Sequence, residues 1–305
     1  MDLPFDAPFT FGMAGEAGLG RRQLRSLLHA GHVRRAVSGV YVPAHLPDDV
    51  ATRARALGLV TPADCVVVDR HAGWALGAEM VLAPGEHLAL RPLSLFRPSG
   101  NGRLRNQLSH SGERNLVESD ITVVHGIAVT TPLRTAWDLG RVRWTDEAIS
   151  GLDAMFRLGA FSRDEFLDGI ERFRGMRWIT TLRAIGPLAD PRSESPGESV
   201  LRLRCIECRL GGMVPQVEVW RAGLFIARFD LADEALMAAV EYDGVEWHSS
   251  EAQRGHDLER RDEARSGGWL VKPFTKDHVF GPHRDIENQL TRFRLEAEAR
   301  RPRTA

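Results

Sequence analysis

The segment from Phe225 to His248, FIARFDLADEALMAAVEYDGVEWH, leaves little freedom in how it folds. It contains two apolar, strand-like runs, and each ends in carboxylates. The first delivers Asp230; the second delivers Glu241 and Asp243, followed by Gly244 and His248. Residues i and i+2 of a strand share a face, so Glu241 and Asp243 are expected side by side. Adjacent carboxylates repel, and a cation or proton held between them relieves the repulsion. A divalent-metal site is one expectation. A hairpin that only displays solvated acids is the other.

The rest of the chain bounds what such a site serves. Its 305 residues have room for two or three domains. With 43% hydrophobic and 27% charged residues, the balance is that of a soluble globular protein. The net charge of −1 gives nucleic acid no global attraction, so any such role must rest on local charge. No apolar run approaches the roughly 18 residues of a membrane helix. The opening MDLPFDAPFTFG lacks the basic and apolar regions of a secretory signal. Three cysteines fit a reducing compartment. A cytoplasmic protein with no membrane partner and no organic cofactor is expected. Cys205 and Cys208 form a C-x-x-C without a second ligand pair, so they read as ordinary helix residues rather than a zinc site.

Residues 12 to 42 read as helix, turn, helix and hairpin. Ala14 to Gly18 closes a short helix, and Gly18-Leu19-Gly20 makes the turn. RRQLRSLLHAG then places Leu24, Leu27 and Leu28 at helical spacing, with Gly31 as the stop. Val33 to Arg35 and Val40 to Val42 flank a turn at Ser38-Gly39, and Pro43 ends the second strand. This is the order of a winged helix. From Ala17 to Pro47 there are five arginines, Arg21, Arg22, Arg25, Arg34 and Arg35, and no acid. Such an unopposed patch suits phosphates.

The segment resembles the N-terminal domain of AbiEi-type antitoxins through L-G-x-x-Q-L-R-x-L-L-x-x-G-x-V-R-R at 19–35 and G-V-Y-V at 39–42. The resemblance implies binding to promoter DNA, with a toxin or other defence-system protein as a further partner.

Residues 49–190 read as a mixed α/β middle region of no assigned role, and 1–48 as the winged-helix domain. His71, heading RHAGWALGA, reads as structural. The arginine- and glycine-containing stretch from Phe96 to Ser111 reads as a solvated linker. LADPRSESPGES, 188–199, breaks periodicity, and the last domain is expected at 191–305. There a helix containing Glu198 precedes strands at VPQVEVWRAG, LFIARFDLAD and LMAAVEYDG. A polar helix or loop, the strand WLVKPFT and an amphipathic helix complete an α-β-β-β-α-β-α order. The chain as a whole is expected to be of mixed α/β (α+β) class.

This last domain resembles the Vsr-like branch of the PD-(D/E)XK, restriction-endonuclease-like superfamily. The residues that carry the likeness are Ser195-x-x-Glu198, Phe229-Asp230 and Val240-Glu241-Tyr242-Asp243-Gly244-x-x-x-His248. Asp257-x-x-Arg260, Gly268-Trp269-x-Val271 and Phe274-Thr275 continue it. It implies a metal-dependent endonuclease acting on double-stranded DNA. Asp230, Glu241 and Glu198 would be ligands to Mg²⁺ (or Mn²⁺), and His248 would relay a proton. Arg260 and Arg261 would hold phosphate. Asp243 stands where the superfamily pattern has lysine, and Pro273 where relatives often have a basic residue. Lys272, one place earlier, is expected on the opposite face. A non-catalytic, antitoxin-like transcriptional regulator with a degenerate nuclease domain is the alternative.

Overall fold

In a computed structural model of the chain, the described residues are 5–83, 86, 90–102, 104, 109–244, 260–281 and 285–300. They form a mixed α/β protein of two compact units. One comprises Met1–Val81, Gly85–Arg143 and Leu158–Arg183; the other comprises Leu82–Pro84, Trp144–Arg157 and Ala184–Ala305. Among the described residues no helix is long and apolar enough to cross a membrane.

The first unit begins with β1 (Phe9–Thr10), α1 (Phe11–Glu16), α2 (Arg21–His29), β2 (Val33–Val37) and β3 (Val40–Pro43). Thr10 Oγ1 caps α1 by accepting from Met13 N at 3.3 Å. Gly31 and Gly39 take the left-handed conformations that end α2 and turn the hairpin. Leu24 and Leu27 of α2 bury against Phe9, Ala14, Leu19 and Val33. The expected helix–helix–hairpin order is present, and β1 adds a third strand in the order β1-β3-β2.

The hairpin is not a free wing. Val37, Val40 and Val42 share one core with Ala54 and Leu57 of α3 (Val50–Gly58) and with Val67, Leu95 and Val129 of the adjoining sheet. The expected division at residue 48 therefore falls inside a continuous core.

That sheet has the order β6-β5-β4-β8-β7, from β4 (Val66–Val67), β5 (Leu93–Pro98), β6 (Ser109–Arg114), β7 (Ile121–Val124) and β8 (Ile127–Thr130). Its β4–β8 and β5–β6 pairs are parallel, and the others antiparallel. Phe96 to Pro98, expected in a linker, thus belong to a strand, and Arg97 pairs with Asp64 at 2.8 Å. The helices are α4 (Asp69–Ala75), α5 (Pro132–Gly140) and α7 (Arg163–Gly169), and the chain passes to the second unit within α8 (Ile179–Ile185). His71 is buried and its Nδ1 accepts from Ser94 N at 3.2 Å. Burial lowers its pKa to about 4, so it is neutral and structural.

A buried ion network ties this unit together. Arg134, 1% exposed, reaches Asp138 at 2.9 Å and Asp120 at 2.6 Å and donates to Asn115 O at 3.0 Å. Arg114 bridges Asp138 and Asp69, and Arg172 pairs with Asp120. The Phe173 ring lies beneath the guanidinium groups of Arg134 and Arg141, at 5.4 and 5.0 Å.

The second unit combines α6 (Thr145–Arg157) with α9 (Pro196–Glu207), β9 (Val214–Arg221), β10 (Leu224–Asp233) and β11 (Ala238–Asp243). Residues 260–266 are helical (α10), and β12 (Leu270–Thr275), α11 (Lys276–Phe280) and α12 (Ile286–Arg300) follow. The expected α-β-β-β-α-β-α order is present with the short α11 added. The sheet order is β12-β11-β10-β9, antiparallel except for the β11–β12 pair.

The expected start at 191 omits α6. Asp153 of α6 accepts two hydrogen bonds from Arg202 Nη2 at 2.9 and 2.7 Å, and Arg204 pairs with Asp146 at 2.5 Å. Both arginines of α9 are buried, so their counter-charges must come with them.

Candidate functional site

The acids singled out in the sequence meet at one end of the β10–β11 pair. The ladder registers Leu231 with Val240, which brings Asp230 beside Glu241. At that point Asp230 Oδ2 accepts from Tyr242 N at 2.7 Å. Glu241 and Asp243 do share a face. Arg261 contacts Glu241 through Nε, and its Nη1 lies 3.8 Å from Asp243 Oδ2. The cation predicted between two acids is thus, in this geometry, a guanidinium. Asp230, Glu241, Asp243, Arg228, Arg260 and Arg261 line a polar cleft of about 340 Å³.

Glu198 approaches from α9. Ser195 caps the helix by accepting from Glu198 N at 3.2 Å, and Pro196 occupies its first turn. The Glu198 carboxylate accepts from Glu194 N at 2.8 Å and from Gln216 Nε2 at 2.9 Å. Gly197 permits the close approach of α9 to β11, because a Cβ there would collide with the Tyr242 ring.

Crowding of the acids is felt at Asp230. Burial, then the charge of Glu198, push its carboxyl up from 3.8 to about 7. The Tyr242 hydrogen bond and Arg261 oppose the rise, and Glu241 adds to it. Such a group at neutral pH accepts either a proton or a hard cation. An all-oxygen donor set of this kind fits Mg²⁺ or Mn²⁺ in chemistry. The grouping is looser than a finished cage. Among the described residues, no three His, Cys, Asp or Glu side chains converge as a metal-ligand group. Glu198 is coupled to Asp230 electrostatically but is held by Glu194 and Gln216. The proposed relay His248, and Asp257, lie outside the described residues. Lys272 sits with its ammonium 5.3 Å from the Phe274 ring and does not line the cleft, so it supplies no positive charge there in place of Pro273.

The five N-terminal arginines separate into groups. Arg21, Arg25 and Arg35 line a second pocket, of about 290 Å³, between α2 and the β2–β3 hairpin. Arg22 is exposed on α2 but does not line it. Arg34 points elsewhere: it lies 3.6 Å from Asp48 and donates to Leu46 O and Pro47 O, which identifies it as a structural arginine.

Two residues that hold the acids or line the cleft escaped the sequence reading. Gln216, which holds Glu198, occupies a left-handed backbone conformation inside β9, and only its position after Pro215 hints at an irregular strand. Arg228, two residues before Asp230, pairs with Glu194 at 3.0 Å, and the two-residue strand period is the signal that could have found it.

No family model matches the chain. Two uncharacterised proteins of Mycobacterium tuberculosis are similar to it: MT2308 from strain CDC 1551 / Oshkosh and Rv2248 from strain H37Rv. Each is 32% identical over 156 residues, covering 51% of this chain and 58% of the relative. The chain thus spans somewhat over half the length of the curated relatives it matches.

Proposed function

We propose that the second unit is a metal-dependent, endonuclease-like site that hydrolyses phosphodiester bonds in DNA, and that the N-terminal helices and hairpin bring the protein to DNA in the cytoplasm. The observation that carries this reading is Asp230, a carboxyl raised to about 7 by burial and by two neighbouring acids in a cleft that also holds three arginines. The order of elements and the residues of the Vsr-like pattern support it. A divalent ion bound by Asp230 and Glu241 would offset charge on the phosphoryl oxygens and acidify a water molecule. The chain's own part is to bind and orient. Arg260 and Arg228 offer positive charge at the cleft rim to an anionic backbone. Arg261 holds Glu241 and Asp243 together until a phosphate competes for it. Asp230 carries or releases a proton near neutral pH.

A supercoiled-plasmid nicking assay tests this. The wild-type chain should nick with Mg²⁺ or Mn²⁺, while Asp230→Asn and Glu241→Gln should lose nicking and keep DNA binding. Equal nicking by those variants would refute the site.

The pairing of Arg261 with Glu241, and Asp243 at the usual lysine position, favour a second reading. In it the protein is an antitoxin-like regulator that binds promoter DNA and a toxin-like partner without cleavage. Specific DNA binding with no nicking under either metal would establish it.

A further inference from the structure

The pocket between α2 and the hairpin is unlike a surface that merely tracks phosphates. Its lining combines three cations, Arg21, Arg25 and Arg35, with two aromatic rings, Phe11 and Tyr41, and the aliphatic Leu24 and Leu28. The parts are fixed by secondary structure. Arg35 is registered directly across from Tyr41, and Tyr41 across from Phe9. The Arg35 guanidinium lies 6.0 Å from the Tyr41 ring centroid, and the Tyr41 ring stacks on Phe9 at 5.7 Å. Arg21, in the first turn of α2, lies 5.3 Å from the Phe11 ring. No acid lines the pocket, and among the described residues Arg21, Arg25 and Arg35 form no ion pair. Phe11 is 37% exposed.

We infer that this pocket takes one unstacked nucleotide of a DNA strand, its base against Phe11 and Tyr41 and its phosphates on the three arginines. The argument is chemical. Duplex DNA presents phosphates and groove edges but no base face, so aromatic rings gain nothing from an intact duplex; a single-stranded or unpaired base stacks on them. Arginines that flank such rings hold the adjoining phosphates and also stack. The volume is at the small end of ligand pockets, which limits the occupant to one nucleotide. The inference rests on the DNA-binding reading and sharpens it. The N-terminal part would select frayed, gapped or single-stranded DNA over a closed duplex.

Fluorescence anisotropy with the whole chain, in chelator so that no strand is cut, provides the test. The probes are a short oligothymidine, a fully paired blunt duplex, and the same duplex with one unpaired thymine. The oligothymidine and the unpaired-thymine duplex should bind about tenfold more tightly than the closed duplex, the loss expected when one base–aromatic stack is missing. Phe11→Leu should erase that preference. Arg35→Gln should weaken all three and reduce the salt slope by about one. Free thymidine monophosphate should displace oligothymidine only weakly. Displacement at matching affinity would instead identify a free-nucleotide site and overturn the inference. Equal binding of all three probes, or a Phe11→Leu variant that keeps the preference, would overturn it while leaving duplex binding intact. Absence of binding to every probe would overturn the DNA-binding reading as well.

Discussion

Replacing Asp230 by asparagine should make the metal-free protein more stable, and the gain should depend on pH. Asparagine keeps the size of the side chain and an oxygen that can accept from Tyr242 N, the bond that now measures 2.7 Å. What it removes is a carboxylate beside Glu198 and Glu241. A carboxyl raised from 3.8 to about 7 binds its proton more tightly in the folded chain than in the unfolded one. Below pH 3.8 both states are protonated and Asp230 costs nothing. As pH rises from 3.8 towards 7, the unfolded chain ionises first, and the folded state loses stability relative to it. Above 7 the loss is complete, about 4 kcal/mol at ~1.4 kcal/mol per tenfold difference in proton affinity. Relaxation around the ionised group brings the expected gain for Asp230→Asn to about 2–4 kcal/mol at pH 8 and under about 1 kcal/mol at pH 4. Urea midpoints of both proteins in chelator, at matched slopes, read this difference directly. Millimolar Mg²⁺ should then raise the wild-type midpoint and leave that of Asp230→Asn in place, because an ion that binds only the folded site stabilises it by mass action. A difference that does not change with pH, or a wild type that is the more stable protein at pH 8 in chelator, would refute the electrostatic reasoning.

Other substitutions probe separate parts of the molecule. Arg134→Met strips Asp120 and Asp138 of a fully buried partner, and thermal unfolding should show a loss of about 3–5 kcal/mol. Gly197→Ala drives a methyl group into the Tyr242 ring, and a loss of about 1–3 kcal/mol is expected by urea titration, with Mg²⁺ response reduced as α9 moves off β11. Arg261→Gln removes a charge that lowers the Asp230 pKa and that neutralises Glu241. Calorimetric titration should show tighter Mn²⁺ binding at pH 8, whereas unchanged or weaker binding would indicate that Arg261 does not compete with the ion.

Local chemistry was legible in the sequence and long-range pairing was not. The α2 helix and the hairpin turn are written in Leu24, Leu27, Gly31 and Gly39, because spacing and glycine act within a few residues. The shared face of Glu241 and Asp243 followed from the two-residue period of a strand. The burial of the hairpin was less visible, although Val40, Tyr41 and Val42 in succession are the pattern of a strand covered on both faces. Nothing near Arg202 announces that its partner is Asp153, nor does anything near Glu241 announce Arg261. Those pairings are decided by packing between elements distant in sequence. The same holds for Gln216, whose only local sign of an irregular backbone is the preceding Pro215. The acids themselves were found, but which groups neutralise them was not.

The pairing of α6 with α9 has a consequence for how the protein is made. Asp153 leaves the ribosome 49 residues before Arg202. At bacterial and eukaryotic elongation rates, that is an interval of roughly 2 to 10 seconds. Throughout it, α6, whose Ile149, Leu152 and Met155 are fully buried in the finished protein, lacks the helix that pairs with its Asp146 and Asp153. The nascent chain therefore passes through a window in which a sticky helix waits for its partner, and slowing synthesis between residues 157 and 202 would lengthen the exposure to chaperones and to aggregation alike.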